Sequence, residues 1–462
     1  MDQTSDPQAG LSTTAPAVRF GTFLGVYTPS VLTILGLIMY LRFGWVVGNL
    51  GVPLTLLIVV VASSITFITG LSASALATNM RVGVGGEYFM VARSLGLEVG
   101  GTIGIPLFLC RTLSITFYSF GLSESLLTLW PAAWGEIPSW ALQALAAGII
   151  VAITAISGRS AEAALKLQIP IMVAVGLSLV ALFAGSLSQG LRSPELTASY
   201  RTAPEGFWYV FAVFFPAVTG FTAGIGMSGD LEDPRKSIPR GTLLAIATGA
   251  AVYLLVPLFL ASSAAVDLGT LATPGVGVWT AIAVGGAWVV FPGMWGAILS
   301  SAFGSVLGGP RVLQALAADG LAPSFLARVS KSGQPTIATW ASGGLALVAV
   351  LLGGLDTVAR FVTVLFLTLY VAINLSAGAE KLVADPSYRP TINVPWFVSL
   401  LGAVGAVFVM FLISPAACLA AITLEAVLYG SLRRRSLQRR WGDVWAGLYL
   451  ALARFALVKL RR

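Results

Sequence analysis

Apolar residues are grouped along the chain into runs of roughly 20 residues, and shorter stretches richer in polar and charged residues separate them. A helix of that length crosses the ~30 Å hydrocarbon core of a bilayer. The pattern therefore predicts one helix at each run. The predicted membrane spans are residues 23–47, 53–77, 98–126, 138–157, 161–186, 207–229, 239–264, 279–308, 336–354, 357–380, 393–413 and 415–431.

The composition agrees with this pattern, because 57% of the 462 residues are hydrophobic and only 10% are charged. A soluble domain carries about 25% charged residues. The sequence therefore predicts an all-α polytopic membrane protein. Histidine is absent, which leaves carboxylates, hydroxyls and backbone carbonyls to handle ions. Cys110 and Cys418 both lie inside predicted spans, so no disulfide is expected.

Lysine and arginine are distributed unevenly over the predicted loops. With the N-terminus inside, the outer loops receive only Arg192, Arg201 and Arg360. Cytoplasmic loops carry the excess of basic residues in membrane proteins. We therefore expect the tails, residues 1–21 and 432–462, to be cytoplasmic in a multi-pass protein of the plasma (inner) membrane.

The segment after the last predicted span is strongly basic. Residues 433–462 carry nine Lys and Arg against one Asp, so its net charge is 9 − 1 = +8. Trp, Leu and Phe residues alternate with these charges, as in an amphipathic helix on an anionic lipid surface. We therefore expect membrane lipids, and no nucleic acid, as the partners of this tail.

Two predicted spans contain helix breakers at corresponding depths. The sixth span reads FFPAVTGFTAGIGMSGDLEDP from residue 214, with Pro216 and four glycines, and the first reads YTPSVLTILGLIMYLRFGW from residue 27, with Pro29 and Gly36. Broken backbone at membrane depth is tolerated where it lines a cavity, and there its free carbonyl and N–H groups bind ions. The alternative is that these residues only kink packed helices.

Because the breakers recur five spans apart, the chain is expected to contain inverted repeats of five helices. The predicted units are residues 22–186 (spans 1–5), residues 207–382 (spans 6–10) and residues 393–431 (spans 11 and 12).

The eighth span contains the stretch AILSSAFGS, residues 297–305, with two adjacent serines. The Ser300 and Ser301 hydroxyls are hard, uncharged oxygen ligands that suit a weakly held Na⁺. The alternative is that two small residues let neighbouring helices pack closely, which is the usual role of serine in membrane helices.

These stretches, with ITGLSASALATN (68–79) and GGPRVLQALAADGLAP (308–323), resemble the cation–chloride cotransporter family. The similarity covers about residues 21–430 and is most specific in FFPAVTGFTAGIGMSGDLEDPRKSIPRGTLLA. The family is a branch of the amino acid–polyamine–organocation superfamily with a leucine-transporter-type fold. The resemblance implies 5+5 inverted repeats with broken helices 1 and 6, plus two further helices, in a sodium–potassium–chloride cotransporter-like member of prokaryotic type.

The same resemblance implies a secondary active transporter that couples Na⁺ to chloride, as Na–Cl or Na–K–Cl cotransport, by alternating access. It implies no enzyme activity, no cofactor and a homodimer. By position, the Na⁺ site would comprise Leu32, Leu35, Ala297, Ser300 and Ser301. The two chloride sites would comprise Gly36, Leu37 and Ile38, and Gly220, Phe221, Thr222 and Tyr370.

The K⁺ site is where the sequence departs from the family. Its matching positions are Thr33, Ile34, Tyr118, Pro216 and Thr219, and Thr33 replaces an asparagine usual in the family. Arg111 lies within the third span, seven residues before Tyr118 and on nearly the same helix face. One hypothesis is that this fixed guanidinium supplies the charge that K⁺ supplies elsewhere. The other is a structural Arg that pairs with Glu124 or with helix-end carbonyls.

Two more charged residues lie inside predicted spans. Arg42 is expected to position the first helix, and Glu425 in the last span has no assigned role.

The alternative function is a Na⁺- or H⁺-coupled amino acid or amine permease of the same superfamily. Such permeases usually have a Gly-x-Gly first break, whereas this break has the single Gly36 between bulky neighbours.

Overall fold

The computed structural model describes residues 19–157, 167–194, 205–330, 333–383 and 388–434. The predicted basic tail beyond Arg434 and nearly all of the predicted N-terminal tail lie outside the described residues. Within the described ranges the chain is helical, and extended backbone pairs only at the isolated bridges Phe20–Leu231 and Leu191–Ser263.

A π-helical turn, Phe23–Tyr27, opens the first span. The helices of the first half are α1 (Thr28–Ile34), α2 (Leu37–Leu41), α3 (Phe43–Asn79), α4 (Glu87–Leu95), α5 (Leu97–Leu127), α6 (Ala141–Ser157) and α7 (Gln168–Ser188).

The second half begins with the sixth span. Its helices are α8 (Phe207–Phe214), α9 (Thr222–Gly226), α10 (Pro234–Ser262), α11 (Leu268–Leu271), α12 (Gly277–Ile282), α13 (Ala287–Ala318), α14 (Thr336–Ala349), α15 (Leu355–Val383), α16 (Trp396–Ile413) and α17 (Pro415–Arg434).

Ten helical segments in the described ranges are long and apolar enough to cross a membrane. Two shorter apolar helices, Ala141–Ser157 and Thr336–Leu352, stand at the positions of the predicted fourth and ninth spans. The all-helical membrane class is therefore confirmed, while the count of twelve spans stays a prediction.

The turn between the first and second spans is tighter than the pattern predicts. Helix α3 runs through the predicted loop, and only Gly51, with a φ of 71°, interrupts its helical backbone. Glycine adopts this left-handed conformation without a Cβ clash. Pro53 follows two residues later, where the second span starts and a missing N–H is tolerated.

The first and sixth spans lie at the centre of the molecule. In their most apolar windows 83% and 89% of residues are buried, against 39% in α10 and 11% in α17. Helices with so little protein contact present their apolar surface to lipid. The two broken spans are therefore surrounded by the other helices, which is where irregular backbone is tolerated in a membrane.

Candidate functional site

The first span is interrupted between α1 and α2. Helix α1 ends at Ile34, and Leu35 and Gly36 leave helical geometry before α2 begins at Leu37. The last carbonyls of one helix and the first N–H groups of the next have no partner within their helices. The break therefore presents partial negative and partial positive charge at one depth, as the sequence predicts.

The sixth span is interrupted in a different way, because its backbone forms a tighter helix there and does not unwind. Residues Phe215–Phe221 form 3-10 turns between α8 and α9, and the Thr222 N–H points back to the carbonyls of Thr219 and Gly220. The expectation of exposed backbone is therefore wrong for the Thr222 N–H in this conformation. Pro216, which lacks an N–H, stands in the first turn, where that donor is not needed.

The two breaks contact each other directly. A Cβ added to Gly220 would lie 2.6 Å from the backbone nitrogen of Ile34, so glycine is needed for this approach. The Ser30 hydroxyl donates a hydrogen bond of 3.2 Å to the Phe221 carbonyl. These contacts join the first and sixth spans into one unit at the level of the breaks.

Oxygen atoms of α1 and α13 converge beside the first break. The Ser301 hydroxyl donates to the Ala297 carbonyl at 2.8 Å and lies 3.4 Å from the Thr33 hydroxyl. A Cβ on Gly36 would lie 2.9 Å from the Leu32 carbonyl oxygen and 3.8 Å from the Ser301 hydroxyl. The structure thus brings the first break next to the serine stretch of the eighth span. Searched over the described ranges, no cluster of three or more acidic or thiol side chains could hold a metal ion.

A small cavity, named the central cavity, lies between the two breaks and the eighth span. Its volume is about 10 Å³, which is near the minimum that holds one water molecule. Predicted site residues dominate its lining. They are Thr33, Arg111, Tyr118, Thr219, Gly220, Thr222 and Ser301.

A second cavity, named the inner cavity, adjoins the first and shares Thr33, Ala223 and Gly304 with it. Its volume is about 20 Å³, and Ser300 belongs to its lining. Other predicted site residues are buried around the breaks but line neither cavity. They are Leu32, Ile34, Leu35, Gly36, Leu37, Ile38, Pro216, Phe221, Ala297 and Tyr370.

Oxygen atoms at the predicted K⁺ positions already have protein partners. The Thr33 hydroxyl donates to the Pro29 carbonyl at 2.8 Å. The Ile34 carbonyl accepts from Tyr253, and the Pro216 carbonyl accepts from Thr219. Each carbonyl keeps a second lone pair, but these groups are held in protein hydrogen bonds.

Arg111 forms a buried ion pair with Glu87, a residue that the sequence reasoning missed. One guanidinium nitrogen donates to a Glu87 carboxylate oxygen at 2.6 Å and to the Thr222 carbonyl at 2.7 Å. The side chains are 6% and 0% exposed. The helix-end carbonyl partner is therefore confirmed, whereas the predicted pairing with Glu124 is wrong, because Glu124 pairs with Arg42.

Local backbone geometry positions Glu87. Gly85 and Gly86 have φ values of 100° and 54°, and α4 begins directly after them. A Cβ on Gly86 would lie 2.9 Å from the Ile225 carbonyl oxygen, so the chain passes close to α9. Burial raises the pKa of the Glu87 carboxyl, and the Arg111 guanidinium opposes that rise. The sequence signal that could have identified Glu87 is the pair of glycines directly before this acidic residue.

Ion pairs close the site at one end of the bundle. Arg42, at the α2–α3 junction, bonds the Glu124 carboxylate at 2.7 Å and 2.9 Å and the Asp356 carboxylate at 2.7 Å. These contacts tie the first span to α5 and α15. Arg42 is buried and its partners are partly exposed, so its predicted role in positioning the first helix has a structural basis.

Polar contacts also close the opposite end. Asp230, after α9, pairs with Arg311 of α13, and the Tyr88 hydroxyl donates to Asp319 at 2.6 Å. The bridge between Phe20 and Leu231 joins the start of the first span to the end of the sixth. The central cavity therefore lies between two groups of polar contacts, one toward each end of the bundle.

Tyr370 is fully buried beside the sixth-span break. Its ring centroid is 5.6 Å from that of Phe221 and 6.0 Å from that of Phe215. Its hydroxyl lies near the Thr66 hydroxyl but forms no hydrogen bond of standard geometry in the described part of the chain. A buried donor without a partner is costly, which makes this O–H available to an acceptor such as an anion.

The sequence is similar to transporters over almost its whole length. The family model described as amino acid permease matches residues 25–458. Solute carrier family 12 member 9 from Homo sapiens is 34% identical over 96% of this chain and 54% of the relative. Cation-chloride cotransporter 1 from Arabidopsis thaliana is 31% identical over 95% of this chain and 49% of the relative.

A third relative, solute carrier family 12 member 1 from Homo sapiens, is 30% identical over 95% of this chain and 44% of the relative. The chain thus spans about half the length of the curated relatives that it matches.

Proposed function

Because the chain belongs to the amino acid permease family of transporters, and cation–chloride cotransporters are its homologues, we propose that it is a Na⁺-coupled chloride symporter. The observation that carries the proposal is a pair of small cavities, about 10 Å³ and 20 Å³, where two broken helices meet a serine pair. Such a site combines uncharged oxygens with free helix ends, which suits small ions of both signs.

Cavity size favours ions over larger substrates. A water molecule occupies about 30 Å³ in the liquid and needs a cavity of about 10–15 Å³ for its centre. The central cavity is at the lower end of that range. Even the smallest amino acid is larger than one water molecule, so cavities of this size favour single ions.

The proposed cation site bridges two elements. Na⁺ would be held by the carbonyls of Leu32, Leu35 and Ala297 and by the hydroxyls of Ser300 and Ser301. The support is the convergence of the Leu32 carbonyl and the Ser301 hydroxyl beside Gly36. A bound cation would join α1 to α13.

The proposed chloride sites use N–H and O–H donors. One would comprise the backbone of Gly36, Leu37 and Ile38, where α2 begins. The other would comprise Gly220, Phe221, Thr222 and Tyr370, and its support is the unpartnered Tyr370 hydroxyl beside Phe221. Because the Thr222 N–H is engaged in this conformation, we expect this second site to form fully only in another conformation.

We propose that Arg111 takes the place of K⁺. Its guanidinium lines the central cavity with three residues at predicted K⁺ positions, Thr33, Tyr118 and Thr219. Glu87 neutralises that guanidinium, so the ion pair occupies the K⁺ position without supplying the net positive charge of K⁺, unlike the isolated guanidinium that the sequence suggested. Charge balance then requires one chloride for each Na⁺, and transport is electroneutral without K⁺.

The test is radiotracer uptake into proteoliposomes. We expect chloride-dependent ²²Na⁺ uptake, equal ³⁶Cl⁻ uptake, and no change when K⁺ is replaced by a large organic cation. Strict K⁺ dependence would refute the Arg111 assignment, and Na⁺ uptake without chloride dependence would refute the symporter itself.

The match to the amino acid permease model favours one alternative, a Na⁺- or H⁺-coupled amino acid or amine permease. In that case the cavities would enlarge on substrate binding. A mixture of amino acids and amines added to the uptake assay separates the two functions, because it would compete with chloride flux in a permease and leave flux unchanged in an ion symporter.

We further propose a homodimer in the plasma membrane with both termini cytoplasmic. The resemblance to cation–chloride cotransporters implies the dimer, in which exposed side chains of α16 and α17, such as Phe408 and Leu419, would lie at the interface. Mass measurement in nanodiscs would test the dimer, and a monomer there would contradict it. Accessibility of tags at the two ends in sealed cells would test their side.

A further inference from the structure

The inner cavity contains a polar group that the proposed ion sites do not use. Gln168, the first residue of α7, is 4% exposed and belongs to the cavity lining. Its side-chain amide oxygen is buried and has no hydrogen-bond partner in the part of the chain that the structure describes. A buried acceptor without a partner is costly, so such a residue in the lining of a cavity calls for a ligand.

The surroundings of this oxygen suit a cation. The lining contains the Ser300 hydroxyl and Thr33, and the remaining residues are uncharged. Amide and hydroxyl oxygens are hard ligands that replace water around alkali cations. With no carboxylate in the lining, such a site holds a cation weakly and releases it easily.

The position of the inner cavity would let a cation enter it directly on leaving the proposed Na⁺ site. Ser300 belongs to the proposed Na⁺ site and to the inner cavity, so one hydroxyl touches both. The wall between the two cavities includes Gly304, where an added Cβ would meet nothing within 4 Å. Met227 and Leu307 line the far side, toward the end that Asp230 and Arg311 close.

From these observations we propose that the inner cavity is a transit site for Na⁺, in which the Gln168 amide oxygen replaces part of the hydration shell as the ion leaves Ser300. The ion passes from the main site to this site and then past Met227 and Leu307 to the adjoining face. The proposal rests on the proposed function for the identity of the ion, and on the cavity and the unpartnered oxygen for its place.

The test uses protection of an introduced thiol, which needs no flux. Leu307→Cys places a thiol in the wall of the inner cavity, and Cys110 and Cys418 are buried. In purified protein, Na⁺ is expected to slow modification of this thiol by a hydrophilic maleimide. Gln168→Met, which keeps the volume and removes the oxygen, is expected to raise the half-protecting Na⁺ concentration about fivefold to tenfold.

The matched control is Gln143→Met. Gln143 also has a buried amide oxygen without a partner, but it lies on α6 and lines neither cavity. We expect this control to leave the half-protecting concentration within twofold. Gln168→Glu, which adds a charge at the same place, is expected to lower that concentration, and it tests the site even if Gln168→Met does not fold.

The outcomes separate this inference from the proposed function. Equal Na⁺ protection in the Gln168 variants and the control would overturn the transit site, even if Na⁺–chloride flux is present. Protection that depends on Gln168 without any chloride-coupled flux would support the site and refute the symporter. An absence of Na⁺ protection in the parent protein would overturn the transit site.

Discussion

Replacing Arg111 by methionine removes the cation from a buried ion pair and leaves the Glu87 carboxylate without a partner. The pair is almost fully excluded from solvent, with side-chain exposures of 6% and 0%. Removing one member of such a pair costs about 3–5 kcal/mol, because the remaining charge stays buried, whereas replacing both members is often nearly neutral. The double variant Arg111→Met, Glu87→Gln is therefore expected to be more stable than either single variant.

The measurement is thermal unfolding of the four proteins in the same detergent. Both single variants are expected to have clearly lower midpoints than the wild type, and the double variant to recover most of the loss. The matched control is Arg311→Met, which breaks the partly exposed pair with Asp230 and is expected to cost less, since exposed pairs contribute about 0–1 kcal/mol.

The pH dependence of Arg111→Met gives a second readout. Burial raises the pKa of Glu87 in the folded protein, and loss of the guanidinium removes the positive charge that opposes this rise. A carboxyl with a raised folded pKa destabilises the protein at high pH, and protonation relieves the cost as the pH falls. The deficit of the single variant is therefore expected to shrink on acidification. Additive losses in the double variant, or a deficit that grows on acidification, would refute the buried-pair reasoning.

Three further substitutions test the proposed sites. Gly220→Ala places a Cβ 2.6 Å from the Ile34 nitrogen and is expected to abolish uptake through overpacking of about 1–3 kcal/mol, so normal uptake would contradict the contact between the breaks. Ser300→Ala with Ser301→Ala is expected to raise the half-saturating Na⁺ concentration at least about tenfold, and unchanged Na⁺ dependence of ²²Na⁺ uptake would count against the cation site. Tyr370→Phe removes a hydroxyl without a partner, so the half-saturating chloride concentration is expected to rise about fivefold without loss of thermal stability, and a stability loss would show that the hydroxyl has a structural role.

The hydrophobic pattern predicts the architecture well because lipid imposes one rule on every span. Each apolar run must satisfy its backbone internally, so length and composition suffice to find the helices. The break at Gly36 is found for the same reason, since a glycine between bulky residues interrupts an otherwise regular run. The pattern places a loop at residues 48–52, but it does not predict how tight the turn is, because helical backbone continues on both sides of the single residue Gly51.

The form of the sixth-span break is harder to predict. Pro216 and the four glycines that follow it mark the place of the interruption, but they are equally compatible with unwound backbone and with 3-10 turns. The choice depends on packing against the first span, where Gly220 contacts the Ile34 backbone. Such a contact joins residues far apart in the chain, and no local pattern encodes it.

Hydrophobic periodicity does not predict the long-range polar contacts of the site. Glu87 and Arg111 are 24 positions apart on different helices, and Tyr253 bonds the Ile34 carbonyl from the middle of an apolar run. A tyrosine in such a run has the same local signature whether its hydroxyl faces a headgroup or a backbone carbonyl. The sequence pattern therefore assigned the oxygens of the K⁺ positions to an ion, and the structure shows protein partners at four of the five positions.

The contacts between the breaks bear on which ion controls the conformation. The first and sixth spans are joined by the Gly220–Ile34 approach and by the Ser30 hydrogen bond to Phe221, so they are expected to move together. Chloride bound at the first break would lie within that moving unit, whereas the second chloride site also includes Tyr370 of α15, which lies outside it. Under the proposed function, Na⁺ lies between α1 and Ser301 of α13, across the boundary between moving and fixed helices. A ligand shifts a conformational equilibrium only through a difference in affinity between the two states. Na⁺ and chloride at the second site should therefore both bias the conformation, in opposite directions where that chloride site is incomplete in this state, and the departure of Na⁺ through the inner cavity should be the step that frees α1 from α13.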